Sequence, residues 1–285
     1  MKWTNDRSKN VEDRRGQGGR KGMMIGGGLG TIVIALIVMF LGGDPTAVLN
    51  NSQTSVPQQT EQRQLTEGEL KMKNFIEMLS AELEETWREV FEERGWNYRE
   101  PKVVMFEDIT HSGCGTAQVA MGPFYCPADE TIYMDMRFFN ELSNKYGAKT
   151  GEFTIAYVMA HEVGHHIQNL LGVLEKVEKA KRNGRFSQKE VNQISVAVEL
   201  QADFYAGLWA KRSNDREDFL EAGDIDIAIS AAEAVGDDNI QRRSQGYVNQ
   251  ESFTHGSSAQ RREWFMRGYN SGNIEDGNTF QELLK

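Results

Sequence analysis

Cysteine, proline and histidine are scarce in this chain, with two, five and five among 285 residues. Metal-binding cysteine pairs usually sit two to four positions apart, so the widely separated Cys114 and Cys126 do not form a zinc pair. Cations are in the minority as well. The 32 Lys and Arg stand against 42 Asp and Glu, for a net charge of −10, which excludes a nucleic-acid-binding surface spread over the whole protein. No nucleic acid is therefore expected as a partner. Internal repeats and low-complexity blocks are absent, which excludes a solenoid or array. What is present, 39% hydrophobic and 26% charged residues, suits a globular chain of one or two domains with a sizeable core.

Charge is also missing locally. Gly22 to Gly43 reads GMMIGGGLGTIVIALIVMFLGG, without one charged residue. As a helix this stretch would reach about 33 Å, enough to cross a bilayer core. A buried soluble helix rarely tolerates Gly26, Gly27 and Gly28 at its start. A cleaved signal peptide would place Pro45 at the −3 position of its nearest cleavage point, Ala47. The reading adopted is an uncleaved transmembrane anchor over 22–43. It is preceded by a basic tail, 1–21, with seven cations against three anions. Positive flanks stay inside, so this tail is expected in the cytoplasm and the C-terminal bulk outside it.

Residues 44–64 are rich in Ser, Thr, Gln and Asn and read as a flexible linker, which leaves 65–285 as the folded domain. In an oxidising compartment Cys114 and Cys126 can close a short disulfide loop; the alternative is two free buried thiols. Thr66 with Glu69 forms a capping-box pattern, followed by apolar residues at helical spacing up to Gly95. The acidic cluster on that helix (Glu82, Glu84, Glu85, Glu89, Glu92, Glu93) reads as a solvated face. Short strands are expected around Val103 to Met105 and Thr131 to Asp135. The segment Gly115 to Met121 either offers an edge to an extended peptide or is plain sheet structure. From Glu152 onward the pattern is helical, punctuated at Gly172, Gly184, Gly236 and Gly246. The fold class is α+β, helix-dominated, with a small sheet and one N-terminal transmembrane helix.

The chemistry is concentrated in the HExxH arrangement His161-Glu162-Val163-Gly164-His165. Histidines four apart share one helix face and can both give a ring nitrogen to one Zn²⁺, with Glu162 placed as general base. His166 lies about 140° around from His161 and is read as a supporting or surface residue rather than a ligand. A third ligand histidine six residues after His165 is excluded, because Leu171 stands there and Gln168 holds the place of the glycine that would precede it. Downstream, Glu199 and Asp203 are again four apart. Glu199 can complete the metal set, while Asp203 can accept the other ring N–H of a ligand histidine. For the oxyanion the candidate donors are His255, or a tyrosine such as Tyr133 or Tyr205; a structural capping turn is the alternative reading of the His255 segment.

HEVGHH followed by ELQAD resembles the glutamate-ligand zinc peptidases. Together with GCGTAQVAMGPFYCP, the apolar stretch and HGSSAQRREWF, it closely resembles the bacterial putative neutral zinc metallopeptidase family, over nearly the whole chain. The resemblance implies a zincin-like domain in which His161, His165 and Glu199 bind Zn²⁺, Glu162 is the base and Asp203 supports a ligand. It also implies an endopeptidase acting on proteins or peptides, held in a bacterial inner or cell membrane with its catalytic domain periplasmic or extracellular. The rival reading is a zinc-stabilised, non-catalytic envelope scaffold. A scaffold needs the ligands but not Glu162.

Overall fold

Thr66 and Glu69 close the reciprocal hydrogen bonds their spacing predicts, and helix α1 follows from Glu67–Glu92. This is seen in a computed structural model that describes residues 1–15, 64–107, 109–118 and 122–284. Strands β1 (Val11–Asp13), β2 (Lys102–Phe106), β3 (Ile109–Ser112), β4 (Gly115–Gln118), β5 (Phe124–Cys126) and β6 (Thr131–Asp135) make two sheets. The larger has the order β1-β2-β6-β5, parallel except for β5, which runs antiparallel to β6 along one edge. β6 is buried at all five positions, as expected of a central strand covered on both faces. β3 and β4 pair only with each other, so the Gly115 segment is not an edge of the main sheet, and residues 119–121 lie outside the described residues. The Cys114–Cys126 disulfide ties this hairpin to β5.

Helices α2 (Phe138–Asn144), α3 (Glu152–Leu170), α4 (Val173–Arg182), α5 (Gln188–Glu217), α6 (Asp224–Ala234), α7 (Asp237–Gln245), α8 (Ser258–Ser271) and α9 (Thr279–Leu283) complete the α+β fold. The break at Gly172 precedes α4, and Gly246 caps α7 in the left-handed conformation. α5 runs through the core and is buried at nearly every position from Ile194 to Ala210. Its crossing with α8 is unusually close because both helices present glycine there. A Cβ on Gly207 would lie 1.9 Å from the Phe265 carbonyl oxygen, and one on Gly268 would lie 2.0 Å from that of Phe204. Fully buried Phe204, Tyr157 and Phe265 pack around this crossing, each apolar side chain of this size contributing roughly 1.5–3 kcal/mol.

Two expectations need correction here. Glu82 and Glu84 are buried rather than solvated. Arg216 donates to Glu82 at 2.7 Å, while Ser8 and Asn10 donate to Glu84 at 2.6 and 3.0 Å. A helical acidic run gives no sign that partners lie more than 70 positions away in sequence. Those partners also show that residues 1–15, read from their charge as part of a tail, pack on the domain and supply β1.

The second correction concerns the transmembrane helix and the single-pass membrane location built on it. No helix among the described residues is long and apolar enough to cross a membrane, and residues 22–43 lie outside them. The flanks argue against one crossing. Arg15, buried against Asp13, also donates to the Glu69 carbonyl at 2.8 Å, and β1 pairs with β2. The chain before and after the apolar stretch therefore meets on one side of the fold. A single pass would separate these parts by the roughly 30 Å of a bilayer core. Neither the anchor nor the cytoplasm-to-exterior topology is retained.

Candidate metal centre

The segment Phe153 to Gly164 is buried all round, so α3 runs through the core with its polar residues facing other protein. Gly164, inside the HExxH segment, lets it approach α5. A Cβ there would lie 2.9 Å from Ala202 Cα. Ala202 sits between Glu199 and Asp203, so this contact brings both i, i+4 pairs face to face.

His161 and His165 turn their Nε2 atoms toward the Glu199 carboxylate, at 3.2 Å from Oε2 and 3.6 Å from Oε1. The three residues offer ligand atoms within 4.8 Å of one another. Each ring is fixed at its other nitrogen: His161 Nδ1–H donates to Asp203 Oδ1 at 2.8 Å, and His165 Nδ1–H to Gln168 Oε1 at 2.9 Å. Two converging Nε2 atoms and a carboxylate, with both Nδ1 atoms spoken for, are the donor set of a three-ligand catalytic zinc site. The residues fit the metal.

Electrostatics agree with that geometry. Burial opposes charge on His161, but Asp203 and Glu199 outweigh it and carry its pKa up to about 9. Burial also works against the Glu199 carboxylate, yet His165, His161 and His255 hold it below the usual carboxylate range. His165, half-buried and without an Asp partner, is shifted down by desolvation. Glu162, which feels the charges of His161 and Glu199, is pushed up to about 7, chiefly by burial, with the Tyr125 backbone N–H of β5 acting in the other direction.

Asp203 is more heavily engaged than its sequence position suggests. Arg261, itself buried, donates to it through Nε at 2.8 Å and Nη2 at 3.0 Å, and the Tyr157 hydroxyl adds a bond of 2.5 Å. The sequence reading missed Arg261, Tyr157 and Gln168, although each carries a signal. Tyr157, His161 and His165 recur every four residues on one face, and Gln168 follows His165 by three. Arg261 shares a buried stripe with Trp264, Phe265 and Gly268, and a cation on an apolar stripe implies a buried counter-charge.

His166 does not join the cluster, and it is not at the surface. Its Nε2–H donates to the Arg99 carbonyl at 2.6 Å, so its Nδ1 accepts from the Tyr125 hydroxyl at 3.0 Å. His255 sits on a loop whose backbone N–H groups converge on Asp237 Oδ2, and its Nδ1 lies 3.3 Å from Asp237 Oδ1. Glu199 senses its charge. Tyr133 donates instead to Asp129, and Tyr205 packs edge-on against Trp87. A cavity of about 830 Å³ beside α4, lined by Trp96, Phe186 and Phe280, includes none of the clustered residues.

The family model described as "Putative neutral zinc metallopeptidase" matches residues 1–280. The chain belongs to this family. Uncharacterized protein YpfJ of Escherichia coli (strain K12) is 43% identical over the whole of both chains. Uncharacterized protein Rv2575 of Mycobacterium tuberculosis (strain ATCC 25618 / H37Rv) is 43% identical over 64% of this chain and 63% of its own. No solved structure matches. Zinc is the metal that the family description implies, and His161, His165 and Glu199 are the residues that could hold it.

A pH dependence follows for metal uptake by this zinc metallopeptidase family member. Below about pH 9 the metal-free His161 carries both ring protons, whereas a ligand must be neutral at Nε2. Binding therefore releases a proton, and zinc affinity should fall by about tenfold for each pH unit below that value. Chelator-competition titrations between about pH 6 and 8 measure the slope. A flat profile would contradict the assignment of His161.

Proposed function

We propose that this protein is a zinc-dependent endopeptidase that hydrolyses peptide bonds in proteins or peptides. One observation carries the reading: Glu162, a buried carboxylate with its pKa raised to about 7, stands next to a ready-made His161, His165 and Glu199 donor set. Zinc held there would polarise the scissile carbonyl and make water more acidic. Glu162 takes the proton from that water and returns it to the leaving amine, a task suited to a base whose pKa lies near the working pH. Asp203 and Gln168 hold the two ligand rings in their productive tautomers. His255 donates to the developing oxyanion. β5 lies at the sheet edge beside Glu162, and an extended peptide adds along that edge through main-chain hydrogen bonds. A metal-stabilised scaffold would have no use for Glu162, which favours the enzyme.

The test uses purified full-length protein and an unfolded protein substrate, with chelator and with zinc restored. Cleavage that stops with chelator and returns with zinc is the expected result. Chelator-insensitive cleavage, or zinc-loaded protein that cleaves nothing, would sink the reading.

A further inference from the structure

Gln168 is fully buried, and its amide could in principle present either oxygen or NH₂ to His165. Its surroundings decide. Nε2 lies 2.7 Å from the Val198 carbonyl and 3.1 Å from Gln201 Oε1, so both of its hydrogens have acceptors and Oε1 is left to face His165 Nδ1. Gln201 raises the same question one step out. Its Nε2 lies 2.8 Å from the Gly277 carbonyl. A carbonyl can only accept, so the NH₂ of Gln201 must point outward and its oxygen inward, toward Gln168. The polarity of Gln168, and so of the ring of His165, is thus set from two sides: directly by the Val198 carbonyl, and by the Gly277 carbonyl through Gln201.

We propose that Gln201 is a positioning residue of the metal centre, acting through Gln168 and held in turn by the C-terminal segment at Gly277. The proposal rests on the reading of His165 as a zinc ligand. The outer end of the relay is well fixed. A Cβ on Gly277 would come within 2.7 Å of Phe204 Cδ1, and Thr279 Oγ1 donates to the Ala197 carbonyl at 2.6 Å, which docks the segment onto α5 two residues before Glu199. The two ligand histidines are therefore supported differently. His161 is held by a charged group, Asp203 with Arg261. His165 is held by neutral amides, whose orientation depends on their own hydrogen-bond partners. Without the Gln201 oxygen, one Gln168 hydrogen loses its acceptor in a buried site, and the Val198 carbonyl alone holds the amide oxygen toward His165.

The experiment is zinc affinity by chelator competition in the full chain, with the absorption spectrum of the cobalt(II)-substituted protein reporting ligand geometry. Gln201→Met should weaken zinc binding about tenfold, and Gln168→Leu by about 10- to 100-fold. In the Gln168→Leu background, Gln201→Met should cost nothing further, because its effect travels through Gln168. Both single variants should alter the cobalt spectrum in the same sense. Gly277→Ala, which moves the carbonyl without touching either amide, should also weaken binding, and it decides the matter if Gln201→Met does not fold. Wild-type affinity and an unchanged spectrum in Gln201→Met, or effects that multiply in the double variant, would overturn the relay. Zinc binding that shows this coupling in a protein that cleaves no peptide would remove the peptidase reading and leave the relay standing. Cleavage by the wild type together with an unaffected Gln201→Met would do the reverse.

Discussion

Glu162→Gln is expected to lower peptide hydrolysis by about 10²- to 10⁴-fold while zinc stays bound, because positioned acid–base catalysis is worth that much. The amide keeps the shape of the carboxylate, still accepts the Tyr125 N–H, and leaves His161, His165 and Glu199 untouched. It cannot take a proton from water. The check is a parallel measurement of turnover and metal content. Wild-type turnover with Glu162→Gln would remove Glu162 from the mechanism.

Arg261→Ala should have the largest effect on stability. Arg261 and Asp203 are both buried, and Asp203 is held below its usual pKa, against the penalty of burial, by Arg261 and then His161. Removing the guanidinium leaves a buried carboxylate with only Tyr157 and His161 as partners. Losing one member of such a pair costs about 3–5 kcal/mol. Asp203 should then draw His161 further toward its protonated form, so zinc affinity falls as well. Urea denaturation of the metal-free protein measures the first effect. A loss below about 1 kcal/mol, the range of an exposed pair, would show that the carboxylate is better solvated than its burial indicates.

The site was more legible in the sequence than its supports were. Each i, i+4 pair, His161 with His165 and Glu199 with Asp203, could be read because helical geometry places both members on one face whatever the rest of the fold does. The approach of the two pairs depends on Gly164 against Ala202, and that of Arg261 to Asp203 on the Gly207 and Gly268 crossing. No periodicity states which helices will cross. Helix α1 was readable from its own capping box, but the burial of Glu82 and Glu84 was not, because Arg216, Ser8 and Asn10 come from distant parts of the chain.

The same limit explains the N-terminal reading. Charge and hydropathy suggested a tail and an anchor, whereas strand pairing between β1 and β2 is a long-range fact that composition does not carry. The disulfide stands apart from that error. Cys114 and Cys126 are joined, and the bridge fastens the β3–β4 hairpin to the strand that touches Glu162.

Metal analysis of the purified full-length chain beside its His165→Ala variant bears most directly on the zinc centre. One zinc per wild-type chain, with most of the affinity lost in the variant, is the expected result. Wild-type protein without zinc, or equal zinc in both, would contradict a metal centre built on His161, His165 and Glu199.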